Sequence, residues 1–111
     1  MAISETILLN TTVTASGSTP AFPADAFSTV SADVSVSAIG GTTPSYTFQL
    51  QASPDGVNWF NIGAATGAVT TNTGTTITSG QGLFDGAFAR VTYAVTGTTP
   101  TANVEVWIDG K

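Results

Sequence analysis

The sequence predicts an all-β fold, a single-domain antiparallel β-sandwich of six to eight short strands with Ig-like or jelly-roll-like connections. Three observations predict it. Glycine, proline, serine and threonine punctuate the whole chain, and no window keeps apolar residues at helical spacing for three turns. The apolar runs are rich in β-branched residues and alternate with polar ones at period two. Finally, 111 residues are enough for one domain around one core. A composition of 41% hydrophobic and 8% charged residues is the opposite of the highly charged, apolar-poor composition of a disordered chain.

In chain order, "ETILLNTTVT" reads as the first strand, with residues 1–12 an N-terminal arm or strand. "SGSTPAFPADAFST" carries Pro20 and Pro23 and reads as a loop crossing between sheets or an edge segment. "ADVSVSAIGGTTPSYTFQLQA" reads as strand, GTTP turn, strand, which pairs Ala38 with Tyr46, Val36 with Phe48 and Val34 with Leu50. "ARVTYAVTGTTPTANVEVWI" repeats that plan with one residue fewer, pairing Val95 with Ala102, Tyr93 with Val104 and Val91 with Val106. In that hairpin Gly97 is free to take positive φ and Pro100 cannot donate to a ladder, so both are read as turn residues.

Between the two repeats, "SPDGV" with Asp55 and Gly56 at its pivot is read as a hairpin corner that sets Leu50 against Phe60 and Phe48 against Ile62. "NWFNIG" follows as a strand. The stretch 63–82 is nearly charge-free and rich in threonine and glycine. It holds one polar strand and reads as a long exposed loop or hairpin, or as a segment ordered by a partner.

Composition excludes several activities. Seven acidic residues against two basic ones, Arg90 and Lys111, leave no cationic cluster for nucleic acid or for an anionic membrane surface. No apolar run reaches the roughly 20 residues of a spanning helix. The N-terminus shows neither a basic leader nor an uninterrupted apolar segment, so no secretory signal is read and the chain is expected to be a whole product beginning at Met1. With no cysteine there is no disulfide, thiolate metal site or thiol nucleophile. With no histidine the commonest general base is missing. Neither a cofactor nor a metal is expected.

The candidate sites are few. Asp55 with loop carbonyls could ligate calcium, but the alternating oxygen ligands of a dedicated loop are missing, and a bond from Asp55 to its own turn is the simpler reading. A glycosidase would need two facing carboxylates, and no concentrated acidic and aromatic pocket motif is visible. Asp85-Gly86 and Asp109-Gly110 read as turn dipeptides. Trp107 alternates out of phase with Val104, Val106 and Ile108, and the hairpin register places it beside Arg90 on the non-core face, as an anchor pair for a protein partner. Partner contacts are also expected in the threonine-rich segment, at Thr71, Thr73, Thr75 and Thr76, and on the N-terminal arm at Ile7 and Leu8.

"FQLQASPDGVNWFNIG" followed by "ARVTYAVTGTTPTANVEVWIDGK" resembles small β-rich virion proteins of tailed bacteriophages, the head decoration or cement proteins. The likeness runs from Ala32 to the end. "SxDGxxW" is also similar to turns in discoidin-like sugar-binding sandwiches and, one residue short, to the Asp-box of sialidase-type propellers. The phage resemblance implies a non-enzymatic structural protein of the capsid surface, made in the bacterial host cytoplasm. Its implied partners are the major capsid protein and copies of itself, a homo-oligomer for which a trimer is one arrangement. A carbohydrate- or host-surface-binding β module on a phage tail or head fibre is the alternative.

Overall fold

The two GTTP-centred segments do not turn back on themselves. Each continues through its glycine and proline as one long strand, β4 (Val30–Ser53) and β7 (Phe88–Gly110), and the two pair antiparallel from end to end. The computed structural model describes residues 4–24, 30–62, 65–78 and 87–110. The expected local hairpins are thus replaced by pairs between the repeats: Val34 faces Val106, Val36 faces Val104, Phe48 faces Tyr93 and Leu50 faces Val91.

Alternation alone does not separate the two arrangements, because both put the same residues on the core face. The backbone does separate them. Two local hairpins would leave each GTTP as a solvated turn, whereas cross-pairing carries the ladder through both. Where the motifs meet, two residues of one strand oppose one of the other: Thr43-Pro44 against Gly97, Thr99-Pro100 against Gly41, and Ala38-Ile39 against Ala102. A bulge leaves a residue unpaired, which is where a proline without an N–H can be accommodated. The third bulge absorbs the one residue by which the first repeat is longer. Gly97 and Pro100 therefore belong to a crossing of two strands, not to a hairpin turn.

The crossing depends on both glycines. Gly41 and Gly97 have φ of 101° and 117°. A Cβ on Gly41 would lie 2.5 Å from the Thr99 carbonyl oxygen, and one on Gly97 would lie 2.7 Å from that of Thr43. Each motif thus rests its glycine on the backbone of the other.

A straight strand of 24 residues would run roughly 80 Å at ~3.3 Å per residue. The longest dimension of the molecule is 42 Å, so the ribbon folds over at the crossing. One half consists of Val30–Ser37 and Ala102–Gly110, flanked by β1 (Ser4–Val13) beside β7 and by β6 (Thr73–Thr78) beside β4. In the other, Tyr46–Ser53 pairs with Phe88–Val95. β2 (Gly17–Ser18) and β3 (Phe22–Pro23) flank β7 there, and β5 (Phe60–Asn61) and a bridge from Val69 flank β4. All seven strands form one hydrogen-bonded sheet, bent into a sandwich.

Val34, Val36, Val104, Val106 and Ile108 of the first half share a single core with Tyr46, Phe48, Leu50 and Val91 of the second. Each such side chain contributes about 1.5–3 kcal/mol by leaving water. Tyr46 ties the halves together, since its buried hydroxyl donates to the Val13 carbonyl at 2.7 Å. Burial pushes that phenol above its ordinary pKa. Thr19 seals the β7 edge between β2 and β3: its N–H donates to Val91 O, and its hydroxyl accepts from Val91 N.

Three other expectations meet the structure here. The proline-bearing segment is an edge segment, supplying β2 and β3. Residues 73–78 are ordered by β4 of the same chain, as edge strand β6. Asp109-Gly110 is paired strand, not a turn, because β1 and β4 both hydrogen-bond to it. Asp85-Gly86, 63–64 and 79–82 lie outside the described residues, as do the side chains of Thr75 and Thr76.

Candidate functional site

The corner at 53–59 is built by two side chains that take the place of a ladder. Ser53 is fully buried, and its Oγ accepts from Gly56 N at 2.8 Å and donates to Asp55 Oδ1 at 3.0 Å. Asp55 Oδ1 also accepts from the N–H groups of Val57 and Asn58, both at 2.8 Å, and Oδ2 accepts from Asn58 Nδ2 at 2.8 Å. Gly56 supplies the positive φ, 79°. Asp55 and Gly56 are turn residues, as expected, and the carboxylate is occupied by turn donors rather than presented to a cation.

The Asn58 N–H, then the Val57 N–H and the Asn58 side chain, hold the Asp55 carboxyl far below the usual carboxylate range. A carboxyl depressed in the folded state stabilises the fold above its unfolded pKa, and that contribution is lost as pH falls through the folded value. Asp55→Asn is therefore expected to lower the melting temperature at about pH 7, and the difference from wild type is expected to shrink below about pH 4. A pH series of thermal melts on both proteins checks it. A difference that stays constant with pH would contradict the role given to the charge.

The hairpin register at this corner differs from expectation by two residues. Ala52 faces Phe60, Gln51 faces Asn61, and Ile62 N donates to Leu50 O. Seven residues, Ser53 to Trp59, close the corner instead of five, because the Asp55 turn consumes "PDGVN". Phe60 is consequently 60% exposed and Val57 77%.

Arg90 and Trp107 are not neighbours. They lie on opposite halves of β7, on either side of the crossing. Arg90 faces Gln51, its Nε donates to Gln51 Oε1 at 2.9 Å, and its guanidinium sits 4.2 Å from the centre of the Trp59 ring. Gln51 Nε2 continues the row to Asn61 Oδ1 at 2.9 Å. The cation–π partner of Arg90 is thus Trp59, the aromatic brought over by the corner.

Trp107 lies on the outer face, in phase with expectation, facing Ile7 of β1 and Asp33 of β4. Its indole N–H donates to Glu105. Ile7 is 45% exposed, whereas Leu8 sits at a bulge in β1 and packs against the core, which explains why only one of the two is available on the surface. Thr71 and Thr73 are exposed at and before the start of β6.

Beyond Trp107, the outer face of β1, β7 and β4 carries an open polar cleft of about 420 Å³. Two cross-strand rows line it, Asn10–Glu105–Ser35 and Thr12–Asn103–Ser37. Sequence reasoning missed this cleft: its residues come from three segments, and only the cross-pairing of the repeats brings Ser35 and Ser37 beside Glu105 and Asn103. The out-of-phase polar positions of "ADVSVS" and "ANVEVW" were the available signal.

No family model matches the chain, and no curated protein matches it. Its fold is nonetheless shared with solved structures. PBSX exported protein XepA superposes with a TM-score of 0.64 at 14% identity, over 96% of this chain and 36% of that one. The chain therefore spans about a third of that protein. SPBc2 prophage-derived protein YomS superposes with a TM-score of 0.52 at 13% identity, over 98% of this chain and 94% of that one. At these identities the likeness is one of fold.

Proposed function

We propose that the chain is a non-enzymatic structural protein of a tailed-phage particle that decorates the capsid, binding the major capsid protein as a homo-oligomer. The observation that carries this reading is the end-to-end superposition on a prophage-derived protein, with nearly all of both chains matched. The residue-level resemblance to decoration proteins points the same way. A chain with neither histidine nor cysteine suits a role in adhesion better than one in catalysis.

The contact expected to matter most is β6. It pairs with β4 on one side, and among the described residues it has no strand on the other. An edge with little charge is a template for a strand from a capsid subunit or a second copy. Binding only the assembled shell would stabilise that shell by mass action.

The test is to mix purified protein with expanded, decoration-free capsids, pellet the particles and count bound copies. The expected result is saturation at a whole number of copies per capsomer. Thr73→Lys, at an exposed edge position, is expected to weaken binding at least ~tenfold without lowering the melting temperature. Failure of the wild-type protein to pellet with capsids would overturn the proposal.

A further inference from the structure

We infer that the outer face formed by β1, β7 and β4 is a binding site for a neutral oligosaccharide. The chemistry of the cleft selects the ligand class. Its walls are strand faces, whose backbone N–H and C=O groups lie in the plane of the sheet, in the β1–β7 and β7–β4 ladders or at the outer edge of β1, so recognition on the face falls to side chains. Those side chains are Asn10, Thr12, Ser35, Ser37, Asn103 and Glu105, a set of hydroxyls, amides and one carboxylate that can both donate and accept. A dense array of that kind complements vicinal hydroxyl groups.

Other ligand classes fit less well. The cleft has no lysine or arginine, and the chain carries a net charge of −5, so a phosphate, a nucleic acid or an acidic sugar would meet repulsion and no counter-charge. The only apolar residue of the lining, Val104, is buried in the core, so the cleft itself offers no apolar anchor of the kind a protein partner would seat in a desolvated pocket.

The polar groups are also oriented in advance. Thr12 Oγ1 donates to Asn103 Oδ1 at 2.9 Å, which sets the amide and leaves its NH₂ as a donor. The Trp107 indole N–H holds Glu105, leaving carboxylate lone pairs for sugar hydroxyls. Ile7 and Trp107, paired across β1 and β7 beside the cleft, offer a partly exposed apolar surface, the usual complement to the C–H face of a sugar ring. From Trp107 to Asn103 the face extends roughly 13 Å along β7, room for a short oligosaccharide. Bulges at Leu8 and at Ala38-Ile39 bracket the patch and bend its strands.

Full-length protein is to be applied to an array of neutral and acidic glycans, and its ¹⁵N spectrum recorded with maltotriose, cellotriose and triacetylchitotriose. Saturable binding of a neutral glycan is expected, with the largest shifts at the Trp107 indole and the Asn103 amide. Asn103→Ala and Ser35→Ala are each expected to weaken it roughly five- to tenfold. Capsid pelleting is expected to be unchanged in Asn103→Ala, and glycan binding unchanged in Thr73→Lys, so this inference and the capsid reading can fail separately. Three results would overturn it: no neutral glycan bound on the array, a preference for acidic glycans, or loss of capsid pelleting in Asn103→Ala.

Discussion

Gly97→Ala is expected to destabilise the protein by about 3 kcal/mol, read as a shift in the denaturant midpoint at unchanged slope. Two costs combine. At a φ of 117° an alanine Cβ crowds its own backbone, worth about 1–2 kcal/mol. That Cβ would also sit 2.7 Å from Thr43 O, 2.9 Å from Thr42 O and 3.0 Å from Pro44 Cα, all backbone atoms with no rotamer to yield, so the strands must part locally. Gly41→Ala meets the mirror-image contacts and is expected to cost as much.

The pair also tests the topology. If each GTTP were a separate hairpin turn, the two substitutions would act on distant turns and their effects would add. In the crossing each opens the same contact, so the double variant is expected to fall short of the sum by about 0.5–3 kcal/mol. Gly67→Ala is the control: nothing lies within 4 Å of its added Cβ, and a change within about 0.5 kcal/mol is expected.

What could be read from the chain alone divides along a physical line. Period-two alternation puts Val34, Val36, Phe48, Leu50, Val91, Val104, Val106 and Ile108 on the core face, and all are buried, while Tyr93 and Val95, placed on that face with Val91, are half-buried against the core. It also put Trp107 on the outer face, because face depends only on parity along one strand. Partnership depends on which strands meet, and parity is silent on that. "GTTP" has the composition of a turn, yet here its two copies pair with each other across a bulged crossing. The local hairpin register for that reason sets Arg90 beside Trp107, whereas the cross-pairing sets it on Trp59. The same limit hid the polar cleft, whose rows exist only once Ser35 is set beside Glu105 and Glu105 beside Asn10.

Phe48→Ala and Phe60→Ala are expected to differ by more than 3 kcal/mol, although both phenylalanines flank the same corner and alternation would put both in the core. Phe48 is 1% exposed and belongs to the central cluster with Leu50 and Val91. Removing its ring leaves a cavity between the two halves of the sandwich, and about 4 kcal/mol is expected, a large share of the stability of a domain this size. Phe60 is 60% exposed, and truncating it is expected to cost no more than about 0.5 kcal/mol. The contrast reads out the register directly. Phe60 keeps the same face in either register, but had the corner closed in five residues it would lie opposite Leu50, further from the margin and over the core, and its loss would approach that of Phe48. The Asp55 turn prevents this by drawing two further residues into the corner, so Phe60 faces Ala52 at the margin of the sheet and its ring stays on the surface. A loss of several kcal/mol in Phe60→Ala would move the register back by two residues, and with it the stacking of Trp59 on Arg90.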